Sequence, residues 1–340
     1  MDLHMTTTVI RVHWTLVITA LAIAFQAAAG PTGFTTAPPL KFRAQEIVTD
    51  FGVGYAVAPG DVNGDKQVDI LAINGTELVW FQAPSWEKHV ILGAGATTAD
   101  NVTLAPLDID GDGRLDIALG AGWTGQNTGT LQWVKQNAPG STPAWEVFPI
   151  SAEPTLHRIK WADVDGDKKM ELIVAPLHGK GAKAPDWDGP SARLLVFHVP
   201  ANPKTDPWPM EVAGEANHIQ HNFLVTNFDA DAQDELITAS KEGLRVWNRT
   251  GDGKWSNAVI GEGAPGEVKL GHVGGRRMLA TVEPWHADAA ARDCVECEEG
   301  QAEDERGTQI LLNEEQQERQ RHACYDRQRI FHPRHVEPRR

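Results

Sequence analysis

Asp61-Val-Asn63-Gly-Asp65-Lys-Gln-Val-Asp69 runs straight into the apolar Ile70-Leu-Ala-Ile73, and the phrase returns three times. Asp108-Ile-Asp110-Gly-Asp112-Gly-Arg-Leu-Asp116 leads into Ile117-Ala-Leu. Asp163-Val-Asp165-Gly-Asp167-Lys-Lys-Met-Glu171 leads into Leu172-Ile-Val-Ala, and Asn227-Phe-Asp229-Ala-Asp231-Ala-Gln-Asp-Glu235 into Leu236-Ile-Thr-Ala. Each copy carries oxygen-bearing side chains at positions one, three, five and nine. A hard dication such as calcium takes six to eight oxygens at about 2.3–2.6 Å, which a tight loop with alternate side chains turned inward can supply. The expected ligands are therefore Asp61, Asn63, Asp65 and Asp69; Asp108, Asp110, Asp112 and Asp116; Asp163, Asp165, Asp167 and Glu171; and Asn227, Asp229, Asp231 and Glu235. A main-chain carbonyl near position seven and water would complete each shell.

An EF-hand shares this opening but needs a bidentate Glu at position twelve and flanking helices. Position twelve is Ala72, Leu119, Val174 and Thr238. The short apolar runs that follow read as buried strands. The loops begin 47, 55 and 64 residues apart, a repeat period. Within each period a strand enters the loop (Tyr55 to Gly60, Val102 to Leu107, His157 to Ala162, His221 to Thr226) and a second leaves it. A third carries an aromatic (Trp80, Trp133, Phe197, Trp247), and a fourth follows a Trp (Trp86, Trp145, Trp208, Trp255). Four strands per repeat predict an all-β fold, a β-propeller of four-stranded blades. A degenerate fifth blade from Glu267 keeps the strands and loses the loop carboxylates, so no metal is expected there.

The composition is ordinary for a globular chain: 340 residues, 41% hydrophobic and 23% charged. Net charge is −15, much of it in the acidic loops, and no basic stripe invites nucleic acid. Residues 1–30 read as a signal peptide: Arg11, an apolar stretch from Trp14 to Phe25, then Ala27-Ala-Ala-Gly30. The stretch is short for a spanning helix, although an uncleaved anchor is the alternative. Cleavage would leave no membrane span and a secreted or periplasmic protein, where calcium is abundant.

Residues 287–340 differ in character. All 12 Trp lie at or before Trp285, the first part mixes 13 Lys with 9 Arg, and the tail has 9 Arg and no Lys. All three Cys (Cys294, Cys297, Cys324) are in this tail. Gln309 to Arg329 is Gln/Glu/Arg-rich, disordered or helical in composition. The tail reads as foreign to the propeller of residues 40–286, as a reading-frame change would produce.

The D-x-[DN]-G-D-x-x-x-[DE] loop with its apolar strand resembles the FG-GAP/VCBS repeats of secreted β-propellers. Leu78-Val-Trp-Phe-Gln-Ala-Pro-Ser-Trp86, Leu156-His-Arg-Ile-Lys-Trp-Ala-Asp163, Ala175-Pro-Leu-His178, His221-Asn-Phe223 and Glu283-Pro-Trp-His286 resemble, more narrowly, the propeller module of aldos-2-ulose dehydratase-like proteins. That resemblance implies seven blades, of which this chain would hold four clear ones and the degenerate fifth, with Phe42 to Ile47 as a closing strand. It also implies water elimination from anhydro-keto-sugars with a metal in the propeller.

In such a blade the start of the first strand and the end of the second meet opposite the acidic loops. His157 and His221 both stand six residues before their loop's first ligand, while His178 and His286 follow second strands. These histidines are expected on one face with Lys160, Trp161 and Trp285. His157 or His221 would serve as general base or as ligand of a transition metal such as zinc. Lys160 would steady an enolate, and His178, Trp161, Trp285 and His286 would bind the sugar. Two functions stay open: a carbohydrate-binding or carbohydrate-modifying module of dehydratase or lyase type, and a non-catalytic scaffold that binds another surface protein.

Overall fold

The computed structural model describes residues 42–123, 129–184, 187–229, 231–273, 276–283 and 289–294. The signal peptide, Trp285, His286 and almost all of the tail lie outside them. Among the described residues there is no helix long and apolar enough to cross a membrane. The chain divides into two units, residues 1–46 and residues 47–340; the first is described only from Phe42, with no strand and with Phe42 exposed. The expected closing strand at Phe42 to Ile47 is therefore not formed.

The second unit is all β, in five antiparallel sheets that follow one another in sequence. Blade 1 is β1 (Gly54–Gly60), β2 (Asp69–Asn74), β3 (Leu78–Gln82) and β4 (Glu87–Leu92); blade 2 is β5 (Asn101–Leu107), β6 (Asp116–Ala121), β7 (Thr130–Gln136) and β8 (Trp145–Ser151). Blade 3 is β9 (Leu156–Ala162), β10 (Glu171–Pro176), β11 (Ala192–Phe197) and β12 (Met210–Asn217); blade 4 is β13 (Gln220–Thr226), β14 (Glu235–Ser240), β15 (Gly243–Arg249) and β16 (Trp255–Gly261). Blade 5 has β17 (Glu267–Val273), β18 (Arg276–Glu283) and β19 (Ala289–Cys294). These are the up-and-down sheets of propeller blades. The third strand of blade 5 lies past residue 286, where the sequence reading ended the propeller, because β19 continues the ladder along β18.

Every acidic loop joins the first and second strands of its blade, and each pairing runs up to the last loop residue, as in Gly60↔Asp69 and Leu107↔Asp116. β6, β10 and β14 are buried along their whole length, in keeping with the apolar runs that follow their opening carboxylates. Each neighbouring pair of blades shares its own core. Leu71, Leu104 and Leu119 lie between blades 1 and 2, Trp133, Leu156 and Leu172 between 2 and 3, Val196, Phe223 and Trp247 between 3 and 4, and Ile237, Val268 and Leu279 between 4 and 5. The other face of blade 1, at Ala72, Val79 and Phe81, is covered by Ile47, Val48 and Phe51. First strands succeed one another through β1, β5, β9, β13 and β17, so their starts gather at one end and the acidic loops at the other.

Candidate functional site

The acidic loops are shaped by their own backbone. Asp61 accepts from the N–H groups of Gly64, Asp65 and Lys66, Asp108 from Asp112 and Gly113, and Asp163 from Gly166 and Lys168. Position nine takes two forms. Asp69 accepts from Val62 N–H with one oxygen and Ala83 N–H with the other, and Asp116 does the same with Ile109 and Gln136. Both carboxylates are fully buried and tie the loop to the end of the third strand. The longer Glu171 and Glu235 bond Val164 and Phe228 N–H through one oxygen. Glu235 Oε1 is left buried with no hydrogen-bond partner among the described residues.

One carboxylate oxygen each from Asp229, Asp231 and Glu235 lies inside a group spanning at most 4.8 Å, and Asp163, Asp165 and Asp167 and Asp108, Asp110 and Asp116 form similar groups. Three carboxylates so close together suit a hard cation. Burial, with further carboxylates nearby, pushes Glu171 and Glu235 up to about 7 and Asp116 up to about 6. The folded chain thus holds protons that the unfolded chain has released between about pH 4.5 and 7, so this contribution to stability is present at acid pH and lost as pH rises through the folded values. Burial of His178, which lowers its pKa, acts the other way but is one group against several. In chelator, the melting temperature is expected to fall between pH 5 and 7.5, and calcium should flatten the slope. A melting temperature that rises across that window in chelator would contradict it.

At the opposite end the chain builds a cavity of about 280 Å³, just under the roughly 300–1,000 Å³ usual for small-molecule sites. His157 and His221, at the starts of β9 and β13, line it together with Tyr55 and Val102. All four stand six residues before the first ligand of their loop, so one register supplies this wall. A second register supplies another: Trp123 and His178 both follow their loop's first residue by fifteen, just beyond the second strand, and both line the cavity. Arg158, Leu177, Trp187 and Ile219 complete it. Tyr55, Trp123, Trp187 and Arg158 were missed by the sequence reading; extending the two registers to blades 1 and 2 would have found the first two.

The rings form a chain: Tyr55 to Trp123 at 6.4 Å, Trp123 to His157 at 5.7 Å and His157 to His221 at 4.9 Å between centroids, with His178 stacked on Trp187 at 4.0 Å. His157 Nδ1 lies 3.0 Å from the carbonyl of His221, and Arg158 Nη1 lies 3.1 Å from His157 Nε2. A carbonyl only accepts and a guanidinium only donates, so His157 is neutral with its proton on Nδ1 and its lone pair facing Arg158. His221 Nδ1 donates to the Gly266 carbonyl at 2.6 Å. Trp123 Nε1 and His178 Nδ1 are buried with no hydrogen-bond partner among the described residues.

Two expected site residues lie elsewhere. Lys160 donates to the Phe223 carbonyl and sits over the Phe223 ring, and burial, reinforced by Lys269, lowers its pKa to about 8. Trp161 donates to the Ala105 carbonyl and packs with Trp208. The reason is strand geometry: three residues after His157 the side chain points to the other face, and four residues carry it about 13 Å along the strand. Among the described residues His157, His178 and His221 belong to no metal-holding trio, the histidine in such a group being His198 with Asp165 and Glu171 at the other end of blade 3; both nitrogens of His157 are engaged.

The family model "Aldos-2-ulose dehydratase, beta-propeller domain" matches residues 128–291, and that of the FG-GAP repeat matches residues 101–132. The first spans blades 3 and 4 with His157, Arg158, His178 and His221; the second contains the blade 2 loop. The aldos-2-ulose dehydratase of Phanerodontia chrysosporium is 22% identical over 228 residues, 63% of this chain and 24% of that protein. The chain thus spans about a quarter of the length of this curated relative. The chain is a β-propeller that is similar to an FG-GAP repeat in blade 2 and, through blades 3 and 4, to the propeller domain of that enzyme.

Proposed function

We propose that this chain is an exported, calcium-binding propeller whose cavity takes a small keto-sugar and eliminates water from it. The observation that carries the reading is the pair of buried polar atoms, Trp123 Nε1 and His178 Nδ1, that wait unpartnered in the wall of an indole-lined cavity. Buried polar groups are rarely left so unless a ligand or water completes them. A sugar offers hydroxyl groups for both, and apolar ring faces for Trp123 and Trp187. The cavity is too small for a protein segment to be its natural occupant, which favours a sugar over the scaffold reading.

His221 is the base in this scheme. With Nδ1 donating to Gly266, its Nε2 takes the proton from the carbon next to the sugar carbonyl. Arg158 steadies the oxygen of the resulting enolate, in place of Lys160. The hydroxyl on the next carbon then leaves, the carbon–carbon double bond forms, and the proton held by His221 completes the departing water. His157 is a positioning residue that holds Arg158. At the other end of the blades, calcium held by Asp163, Asp165, Asp167 and Glu171, by Asn227, Asp229, Asp231 and Glu235, and by Asp61, Asn63 and Asp65 would neutralise the clustered carboxylates and pin the turns, while Asp69, with both oxygens on backbone N–H groups, serves as a strut and not as the expected ligand.

The test mixes purified protein with an anhydro-keto-sugar and follows enone absorbance in the ultraviolet. Loss of a well-placed general base costs about 10²–10⁴-fold, so His221→Ala should lose that much in kcat. His157→Gln, which preserves an acceptor for Arg158, should lose far less. Turnover unchanged in His221→Ala would sink the assignment, and inertness of the parent protein beside a protein-binding partner would favour the scaffold.

A further inference from the structure

The acidic loops look alike in sequence but face different third-strand residues. The pairings Ile70↔Phe81, Ile117↔Val134, Leu172↔Phe197 and Leu236↔Trp247 put the third strands in common register. The next residue in each is Gln82, Lys135, His198 and Asn248. In blades 2, 3 and 4 this position looks toward the loop, whereas Gln82 meets His89. Asn248 donates to Asp229 at 2.9 Å, and His198 Nδ1 lies 3.6 Å from Glu171 Oε1. In blade 2 the Lys135 ammonium lies 2.5 Å from Asp110 Oδ2 and 2.5 Å from Asp112 Oδ2, with its side chain only 5% exposed. Of the four residues, only Lys135 carries a permanent charge.

We propose that Lys135 is the resident cation of the blade 2 loop, holding Asp110 and Asp112 together where a dication would otherwise bridge them, so that this loop closes without calcium. Arg114, paired with Asp112, adds a second positive charge. A dication entering between Asp110 and Asp112 would meet an ammonium that burial prevents from swinging into water, and like charges at such range repel strongly. The ammonium in turn would lose its partners if calcium took them, leaving a buried unpaired charge. The Trp133 ring, 5.5 Å from Nζ, gives the ammonium a further reason to stay. The inference deepens the calcium reading of the other loops and corrects it for Asp108, Asp110, Asp112 and Asp116.

Calcium bound per chain, measured by equilibrium dialysis and elemental analysis, tests it in the parent and four variants. Lys135→Gln removes the charge and keeps the length near that of Gln82; it is expected to bind one calcium more than the parent. Lys135→Arg keeps the charge and should bind the same number as the parent. Asp108→Asn should leave the parent's count unchanged, whereas Asp163→Asn should lower it by one. No gain in Lys135→Gln, or a calcium lost in Asp108→Asn, would overturn the proposal. Should the parent bind none while Lys135→Gln binds one, the calcium reading of the other loops falls and the role of Lys135 stands.

Discussion

Asp69→Ala is expected to destabilise the protein by about 2–6 kcal/mol, and by a similar amount in chelator and in calcium. The carboxylate takes the N–H of Val62 at 2.9 Å and that of Ala83 at 2.9 Å, and both residues are buried. Each donor left without a partner costs about 1–3 kcal/mol. Calcium cannot restore either bond, because a cation does not accept a proton. Asp65 differs. It is exposed and accepts within its own loop, from Gln67 and Asn63, so Asp65→Ala should change stability in chelator by no more than about 0.5 kcal/mol. Its effect should appear only in calcium, as a smaller rise in melting temperature than the parent shows. Urea unfolding of both variants with and without calcium separates the roles. If the Asp69→Ala loss disappears in chelator, Asp69 serves as a ligand and not as a strut.

Trp247→Ala should cost about 3–5 kcal/mol, the range for emptying a buried aromatic site. The ring is 1% exposed and its Nε1 donates to Thr238 Oγ1 at 3.0 Å. It lies across the boundary between blades 3 and 4, over Gly214 of β12. A Cβ added at Gly214 would stand 2.0 Å from Trp247 Cζ3, so this glycine exists to admit the ring. Gly214→Ala alone should therefore cost about 1–3 kcal/mol through overpacking. Combined with Trp247→Ala, the added methyl no longer meets the ring, and the pair should cost less than the sum of its members. Strict additivity in a double-mutant cycle would show that the two do not share the space described.

Much of the cavity follows from spacing. A residue six before a loop's first ligand lies at the start of a first strand, and this holds for Tyr55 and Val102 as well as for His157 and His221. His178 and Trp123 share the other register. Lys160 and Trp161 lie elsewhere because strand alternation turns an offset of three to the other face, and an offset of four returns to the same face about 13 Å further along. The segment from Phe42 to Ile47 reads as the closing strand of a ring whose partner blade this chain would lack; the structure gives it no strand and places Ile47, with Val48 and Phe51, on the face of blade 1.

The repeated acidic loop, read along the chain alone, determined the order of the strands in blades 1 to 4, the all-β architecture and the two ends of each of those blades. Those are matters of local periodicity, and periodicity is written in the order of residues. The tertiary structure alone decided which neighbour each polar atom meets. The His221 carbonyl claims His157 Nδ1, Gly266 claims His221 Nδ1, and Lys135 reaches back to Asp110 and Asp112. A lone pair or a carboxylate is spent or spared by whichever neighbour packs beside it, and such neighbours come from blades and strands that linear spacing does not relate.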